Sequence, residues 1–120
     1  MESKKISKKI VELILSKKGY NIKVMDLSKV SGIADKFIIC SADSDTQVKA
    51  IADEVEDKLK EEGIRNFHKE GYQTLRWVII DYFDVVVHIF KNEARTYYNL
   101  EKFWADAPTE IIEESLKEVF

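Results

Sequence analysis

The sequence predicts an α/β domain in which helices pack against a β-sheet. Apolar residues recur with the helical period over residues 4–18 and 45–62, and β-branched residues crowd the stretch from 76 to 90. Between the two helical patterns, the run Phe37-Ile38-Ile39-Cys40 is apolar at every position, which is typical of an interior strand covered on both faces. A length of 120 residues, 45% of them hydrophobic, suits one compact domain with its own core.

The first third of the chain predicts a helix followed by a strand. Ile6, Ile10 and Ile14 line one side of residues 4–18, lysines occupy the other side, and Gly19 ends the pattern. Residues 21–27 alternate between apolar and polar side chains, which favours a strand, although Met25 interrupts the alternation.

The second helix has clear boundary signals. Ser44-Asp45-Thr46-Gln47 fits a capping box, in which the serine hydroxyl accepts a hydrogen bond from the backbone three residues on and the glutamine side chain reaches back. Apolar residues follow at helical spacing, and Gly63 ends the pattern, so we expect a helix over residues 45–62. Residues 64–67 are expected to form a short strand.

Residues 76–90 predict a β-hairpin, because two runs rich in β-branched residues flank the segment Asp81-Tyr82-Phe83-Asp84. If Tyr82 and Phe83 form the turn, the register of the hairpin follows. The predicted facing pairs are Asp81 with Asp84, Ile79 with Val86, and Trp77 with His88.

The two faces of this hairpin differ in character. One face is wholly apolar and suits packing under helices, whereas the other mixes aromatic and polar side chains, as contact surfaces do. The apolar face carries Val78, Ile80, Val85, Val87 and Ile89. The mixed face carries Trp77, Ile79, Val86, His88 and Phe90, with the two aspartates at its end.

The C-terminal third predicts a partly helical, aromatic-rich segment over residues 93–104 and a domain edge at Pro108, the only proline. Residues 1–108 are therefore expected to form the domain. Residues 109–120 are expected to form an acidic tail, and the spacing of Ile112, Leu116 and Phe120 favours a loosely docked helix there.

Several features indicate a cytoplasmic protein. The chain has no run of about eighteen apolar residues that could span a bilayer. Its N-terminus becomes amphipathic at once, unlike a signal peptide. The single cysteine, Cys40, lies in an apolar run, which favours a buried and inert thiol in a reducing compartment over a reactive one.

Charge is unevenly distributed along the chain. Residues 1–29 carry eight lysines against three acids, a balance of +5, which leaves −8 for the rest of a chain whose net charge is −3. The basic start is interpreted either as a contact with nucleic acid or as the solvated side of an ordinary helix. The acidic remainder argues against a free-standing nucleic-acid binder and suits docking onto a basic partner.

An enzymatic interpretation rests on one short motif. Asp43 and Asp45 form an Asp-x-Asp pair of the kind that holds magnesium against a triphosphate, but no Gly-Ser phosphate loop precedes them, and the helix cap accounts for both residues. Two histidines and one cysteine give poor support to a zinc site. We therefore expect no enzyme activity and no cofactor or metal; the alternative is a divergent magnesium-dependent nucleotidyltransferase.

Four blocks of sequence, in order and at matching spacing, carry a resemblance that covers nearly the whole chain up to Pro108. The blocks are Ser31-Gly32-Ile33-Ala34-Asp35-Lys36-Phe37, Ser44-Asp45-Thr46-Gln47-Val48-Lys49-Ala50-Ile51-Ala52-Asp53, residues 77–90, and Tyr98-Asn99-Leu100-Glu101-Lys102-Phe103-Trp104-Ala105-Asp106-Ala107. On these blocks the chain resembles the ribosomal silencing factor (RsfS, Iojap) family. One position departs from the pattern: Phe83 stands where many relatives have glycine, so we expect a longer or differently shaped turn.

The resemblance implies a fold and a function. The implied fold is a mixed β-sheet flanked by helices, like a nucleotidyltransferase core without its catalytic motif. The implied function is to bind ribosomal protein fourteen of the large subunit, on the surface that faces the small subunit. The bulk of the factor then obstructs subunit joining and represses translation. The resemblance also implies a homodimer of the free protein.

Trp77 is the leading candidate for contact with the partner, because a tryptophan on an open hairpin face can anchor an interface. The competing interpretation is that its own fold covers it. Asp81 and Asp84 are interpreted either as an acidic patch for a basic partner or as ordinary turn aspartates. His88 is interpreted either as a contact residue or as a structural histidine. The full predicted contact set is Tyr72, Arg76, Trp77, Asp81, Tyr82, Asp84 and His88. Lys4, Lys5, Lys8 and Lys9 are candidates for a peripheral contact with ribosomal RNA.

Overall fold

The structure, a computed structural model, describes residues 3–30, 32 and 34–112. The predicted helices and most of the predicted strands lie close to where the sequence patterns place them. The elements in chain order are α1 (Ser3–Ser16), β1 (Tyr20–Asp26), β2 (Lys36–Ala42), α2 (Asp45–Glu61), β3 (His68–Glu70), β4 (Trp77–Asp81), β5 (Val85–Lys91), α3 (Asn92–Tyr98), α4 (Leu100–Phe103) and β6 (Thr109–Ile111).

The strands form one mixed sheet in the order β3-β4-β5-β2-β1-β6. β2 and β5 are parallel neighbours, and every other neighbouring pair is antiparallel. β2 and β5 lie at the centre, where both faces of a strand are covered, and this explains the uninterrupted apolar run in β2. The predicted α/β class with a mixed sheet and flanking helices is confirmed.

Each face of the sheet has its own core. α1 and α2 pack together on one face, where Ile10, Ile14 and Ile51 are fully buried against Val78 and Ile80. The opposite face packs against α3, α4 and the segment that follows α4. The division of the hairpin side chains between two faces is therefore as predicted. Among the described residues, no helix is long and apolar enough to span a bilayer.

The α2 cap is confirmed in part. The Ser44 hydroxyl accepts a hydrogen bond from the Gln47 backbone N–H at 3.1 Å. The Gln47 side chain differs from the predicted box, because its Oε1 accepts from the backbone N–H of Asp43 at 2.7 Å. Its Nε2 donates to the carbonyl of Lys18 at 2.9 Å, so this residue also ties the start of α2 to the end of α1.

The predicted hairpin register is wrong by two residues. The observed pairs are Trp77 with Phe90, Ile79 with His88, and Asp81 with Val86. A shift of two residues preserves which face each side chain occupies, and this is why the prediction of the two faces survives.

The register depends on the turn between β4 and β5. A longer or differently shaped turn was expected, and the observed turn is not longer. The backbone N–H of Tyr82 donates to the carbonyl of Val85 at 2.8 Å, so Phe83 and Asp84 form the tip. Phe83 itself takes the left-handed conformation, with φ of 76°. The prediction centred the turn on Tyr82 and Phe83, midway between the two apolar runs, whereas the observed tip lies one residue later.

Two further boundaries differ from prediction. The short strand expected at 64–67 lies at His68–Glu70 instead, because Ile64 completes the end of α2 by donating to the carbonyl of Leu59 at 2.8 Å. The helix expected over 93–104 is divided at Asn99, which has φ of 49°. That conformation ends α3 and redirects the chain into α4.

The chain continues into the sheet beyond Pro108, where the sequence pattern predicted the edge of the domain. The carbonyl of Pro108 accepts from the Asp26 N–H at 2.8 Å, and the N–H of Ile112 donates to the carbonyl of Ile22 at 3.0 Å. Residues 109–111 form the edge strand β6 rather than the start of a helix. Residues 113–120, the remainder of the predicted acidic tail, lie outside the described residues.

Cys40 is buried, as predicted, in the core beneath α1 and α2. Burial raises the pKa of its thiol to about 12, so the neutral thiol dominates at physiological pH. A thiol in this state is a poor nucleophile, which agrees with the predicted inert role.

Candidate partner-binding face

Among the described residues, no helix lies over one region of the sheet. α3 packs on β5 and β2, while β4 and β3 lie further towards the sheet edge. Strand pairing and alternation place five side chains of β3 and β4 on this side, and together they define the open face. The open face comprises Trp77, Ile79 and Asp81 of β4 with His68 and Glu70 of β3.

An aromatic row crosses from the interior to this open face. The Trp77 indole is half-buried and stacks on the fully buried Phe90 ring at 4.9 Å between centroids. The Tyr98 ring lies 5.0 Å from the indole, and the Tyr97 ring lies 5.1 Å from the Tyr98 ring, both between centroids. Tyr97 is 78% exposed, so the row offers a partner a continuous apolar contact.

Tyr97 and Tyr98 are additions to the contact set predicted from the sequence. The sequence marks their segment as aromatic-rich, but two adjacent residues of a helix point in different directions. Which of them reaches the sheet depends on how α3 crosses β5, and no local pattern encodes that crossing.

His88 is buried rather than exposed, with 4% of its surface accessible. Its Nδ1 accepts a hydrogen bond from the indole N–H of Trp77 at 3.1 Å, and the Phe37 ring lies 4.5 Å away. Burial lowers the pKa of His88 to about 3, so the imidazole is neutral at physiological pH. His88 therefore lies beneath the open face and does not reach its surface.

The turn aspartates have different environments. Asp81 is half-buried, and its carboxylate accepts a hydrogen bond from the Phe83 N–H at 2.7 Å, which stabilises the turn. Asp84 is exposed, and in the described part of the chain its carboxylate forms no ion pair. Its backbone carbonyl accepts from the N–H groups of Asp35 and Lys36, at 2.8 Å and 3.0 Å.

Two predicted contact residues lie on the opposite side of the sheet. Tyr82 is buried in the core beneath α1 and α2. The hydroxyl of Tyr72 donates to the Asp53 carboxylate of α2 at 2.9 Å, and burial together with this bond raises the Tyr72 pKa. Arg76 is exposed at the start of β4, next to Trp77. Strand alternation directs the Arg76 side chain to the α1 and α2 side, away from that of Trp77. The predicted set is therefore not one surface: Trp77 and Asp81 lie on the open face, Asp84 lies in the exposed turn at its end, and His88 lies below it.

A partly buried ionic network fixes the segment that borders the open face. The Arg95 guanidinium of α3 pairs with the Glu101 carboxylate of α4 at 3.0 Å and donates to the Ser41 hydroxyl at 2.9 Å. Lys23 of β1 pairs with the same carboxylate at 2.7 Å. Burial acts to raise the pKa of Glu101, but the hydrogen bonds from Arg95 and Lys23 outweigh it and lower the pKa.

The Asp-x-Asp pair is engaged in structural contacts. The Asp43 carboxylate accepts from the Tyr20 hydroxyl at 2.6 Å, and the Asp45 carboxylate pairs with Lys91 at 3.1 Å. Burial and the bond to Asp43 raise the pKa of Tyr20 to about 12. Across residues 3–30, 32 and 34–112, no group of three or more histidine, cysteine or acidic side chains is arranged to hold a metal ion.

Comparison with known proteins identifies the family of this chain. The profile of the family described as ribosomal silencing factor during starvation, RsfS, matches residues 1–119. The chain belongs to the RsfS family. Membership in the RsfS family makes ribosome silencing, and with it repression of translation, the function of this chain at family level. The description of the family names ribosome silencing and no enzyme activity.

Individual members of the RsfS family are similar in sequence to most of this chain. The ribosomal silencing factor RsfS of Bacillus subtilis is 44% identical over 108 residues, which are 90% of this chain and 92% of that protein. The chloroplastic Iojap protein of Zea mays is 34% identical over 93 residues, 75% of this chain and 39% of that longer protein. A crystal structure of a Chromobacterium violaceum protein has a TM-score of 0.85 at 39% identity and covers 88% of each chain.

Proposed function

We propose that this chain represses translation in the cytoplasm by docking its open face on ribosomal protein fourteen of the large subunit. Its bulk then blocks the joining of the small subunit. The observation that carries the proposal is a half-buried indole, Trp77, in an aromatic row on a part of the sheet that helices α1 to α4 leave open. RsfS-family membership supports the ribosome as the target.

The chemistry of the open face suits such a partner. Aromatic side chains with a rigid, partly buried base contribute strongly to protein interfaces, because ordering them costs little conformational entropy. The exposed carboxylate of Asp84 and the excess of acid in residues 30–120 favour approach to a basic protein surface. Trp77, Asp81 and Asp84, together with Tyr97 and Tyr98, form the proposed contact set.

The proposal also covers two further contacts, a homodimer of the free protein and a contact between the lysines of α1 and ribosomal RNA. A homodimer of the free protein would cover the same open face and would therefore compete with the ribosome for it. The exposed lysines of α1 (Lys4, Lys5 and Lys8) lie on the helix that packs on the far side of the sheet. Any contact they make with ribosomal RNA is peripheral to the main interface. Lys9 pairs with Glu62 at 3.2 Å.

Sedimentation with purified bacterial large ribosomal subunits tests the proposal. The wild-type chain is expected to travel with the subunits, whereas Trp77→Ala removes the anchor and weakens binding by about thirtyfold or more, equivalent to about 2 kcal/mol. Tyr72→Phe is the control, because Tyr72 lies on the opposite side of the sheet and the substitution leaves its ring in place. It is expected to bind like the wild type.

Adding small subunits to the same gradients tests the steric block. The wild-type chain is expected to reduce the yield of joined ribosomes, and Trp77→Ala is expected to restore it. A stable dimer that ignores large subunits would contradict the proposal and favour a general interaction module. Equal binding by wild-type and Trp77→Ala chains would show that another surface docks.

A further inference from the structure

His88 makes a specific contact with the anchor of the open face. Its Nδ1 accepts the indole N–H of Trp77 at 3.1 Å, although the two residues are not directly paired in the hairpin. Because Nδ1 is the acceptor, the neutral ring carries its proton on Nε2. Nε2 is buried and has no hydrogen-bond partner among the described residues.

The surroundings of His88 hold the imidazole firmly. The Phe37 ring lies 4.5 Å from it on β2, and the Phe90 ring lies 6.4 Å away on β5. A ring packed in this way has a fixed orientation, so the acceptor that it offers to Trp77 is also fixed. The indole, itself stacked on Phe90, is thereby held by one directional bond in addition to apolar packing.

This bond changes what the open face offers to a partner. The N–H is the only polar group of an indole, and it is a donor only. When that donor is satisfied inside the protein, the accessible part of Trp77 is carbon surface. A partner group that meets it gains nothing from being a hydrogen-bond acceptor and gains most from being apolar.

We propose that His88 is a positioning residue for the docking face, which holds the Trp77 indole in one orientation and directs its N–H inward, so that the partner group received there is apolar. The proposal rests on the proposed function, since it concerns the same face. It assigns His88 no direct contact with the ribosome, because the side chain is buried.

A double-mutant cycle with purified bacterial large subunits as the probe tests the role in binding. His88→Leu fills a similar volume without an acceptor and is expected to weaken binding about tenfold, the effect of one lost hydrogen bond. His88→Asn places an amide near the position of Nδ1 and is expected to restore binding to within about threefold of the wild type. In a Trp77→Phe background, which has no indole N–H, His88→Leu is expected to cause no further loss.

Hydrogen exchange of the indole N–H gives a readout that does not depend on the ribosome. In a Trp104→Phe background, the single indole N–H seen by NMR belongs to Trp77. It is expected to exchange slowly in the wild-type and His88→Asn forms, and faster in His88→Leu. Circular dichroism of each variant shows whether the fold is intact at the assay temperature.

The outcomes separate this inference from the proposed function. An equal loss from His88→Leu with Trp77 and with Phe at position 77 would show a general structural role and overturn the positioning role. Unchanged binding and unchanged N–H exchange in His88→Leu would also overturn it. Failure of the wild-type chain to bind large subunits would defeat the proposed function, and the N–H exchange would still decide whether His88 holds the indole.

Discussion

At the residue scale, Phe83 is held in a strained conformation. Its φ of 76° is rare for a residue with a side chain, and the N–H of Asp84 donates to the carbonyl of Tyr82 across it at 3.0 Å. The ring is 68% exposed and lies edge-on to the Phe67 ring, which is 75% exposed, at 6.1 Å between centroids. This contact offsets little of the conformational free energy that the strain costs, because both rings remain largely in water.

Phe83→Gly is therefore expected to stabilise the fold. Glycine takes positive φ without steric cost, although it also gives the unfolded chain more freedom, so the expected gain is about 0.5 to 1 kcal/mol. Urea denaturation measures this free energy of unfolding. Phe67→Ala, which removes the ring contact and leaves the turn conformation unchanged, is the control and should give no gain. A destabilised Phe83→Gly variant would mean that the ring, not the strain, dominates.

His88 links the stability of the protein to pH. Its folded-state pKa is about 3, while an unperturbed histidine has a pKa of about 6.5. Between these values the unfolded chain binds a proton that the folded protein does not bind. The contribution of neutral His88 to the free energy of unfolding is therefore fully present above about pH 6.5, and it falls as the pH is lowered towards 3.

Protonation of His88 in the unfolded chain is expected to lower the free energy of unfolding by about 2 kcal/mol between pH 7 and pH 5. Urea denaturation at the two pH values measures it. His88→Leu should show a smaller change over the same interval, because it has no group to protonate there. The carboxyl groups of Asp26, Asp53 and Glu101 have lowered pKa values and lose their contributions at more acidic pH. An identical pH dependence in wild type and His88→Leu would rule out His88 as the cause.

At the scale of elements, β6 shows how a segment with no clear hydrophobic pattern can become a strand of the sheet. Its three residues are all exposed, so neither hydrophobic alternation nor burial drives it into the sheet. Backbone hydrogen bonds to β1 hold it, including the bond from the Ile112 N–H to the Ile22 carbonyl at 3.0 Å. By occupying this edge, β6 shields β1 from solvent on its outer side.

A comparison of two shortened chains tests the role of β6. A chain that ends at Pro108 should be less stable than one that ends at Ile112 by about 2 kcal/mol, since it loses several backbone hydrogen bonds of about 0.5 to 1.5 kcal/mol each. Thermal and urea unfolding of both chains measure the difference. Because both lack residues 113–120, the comparison isolates residues 109–112. Equal stability of the two chains would show that the strand is not needed.

At the scale of the whole molecule, the two faces of the sheet have separate roles. α1 and α2 seal one face and provide most of the core. Within residues 34–112, helices cover the other face only as far as α3 and α4 reach, and the Arg95–Glu101–Lys23 network fixes the position of these two helices. The uncovered region is thus a stable feature of the fold, and a rigid surface of this kind can bind without a large ordering cost.

The sequence by itself determined the elements whose patterns are local. Helical periodicity located α1 and α2, the Ser44 cap located the start of α2, and the apolar run located β2. Alternation correctly divided the hairpin into two faces. These features need only neighbouring residues, because each pattern records which side of an element is apolar.

The tertiary structure decided what covers each apolar side. The hairpin register depends on Phe83 accepting a strained conformation, and β3 and β6 have no apolar pattern to mark them. That His88 lies under Trp77, while Tyr72 and Tyr82 lie on the other side, follows from strand pairing and from the course of α3. Such contacts join residues far apart in the chain, and their free energy depends on the assembled surfaces rather than on any local sequence.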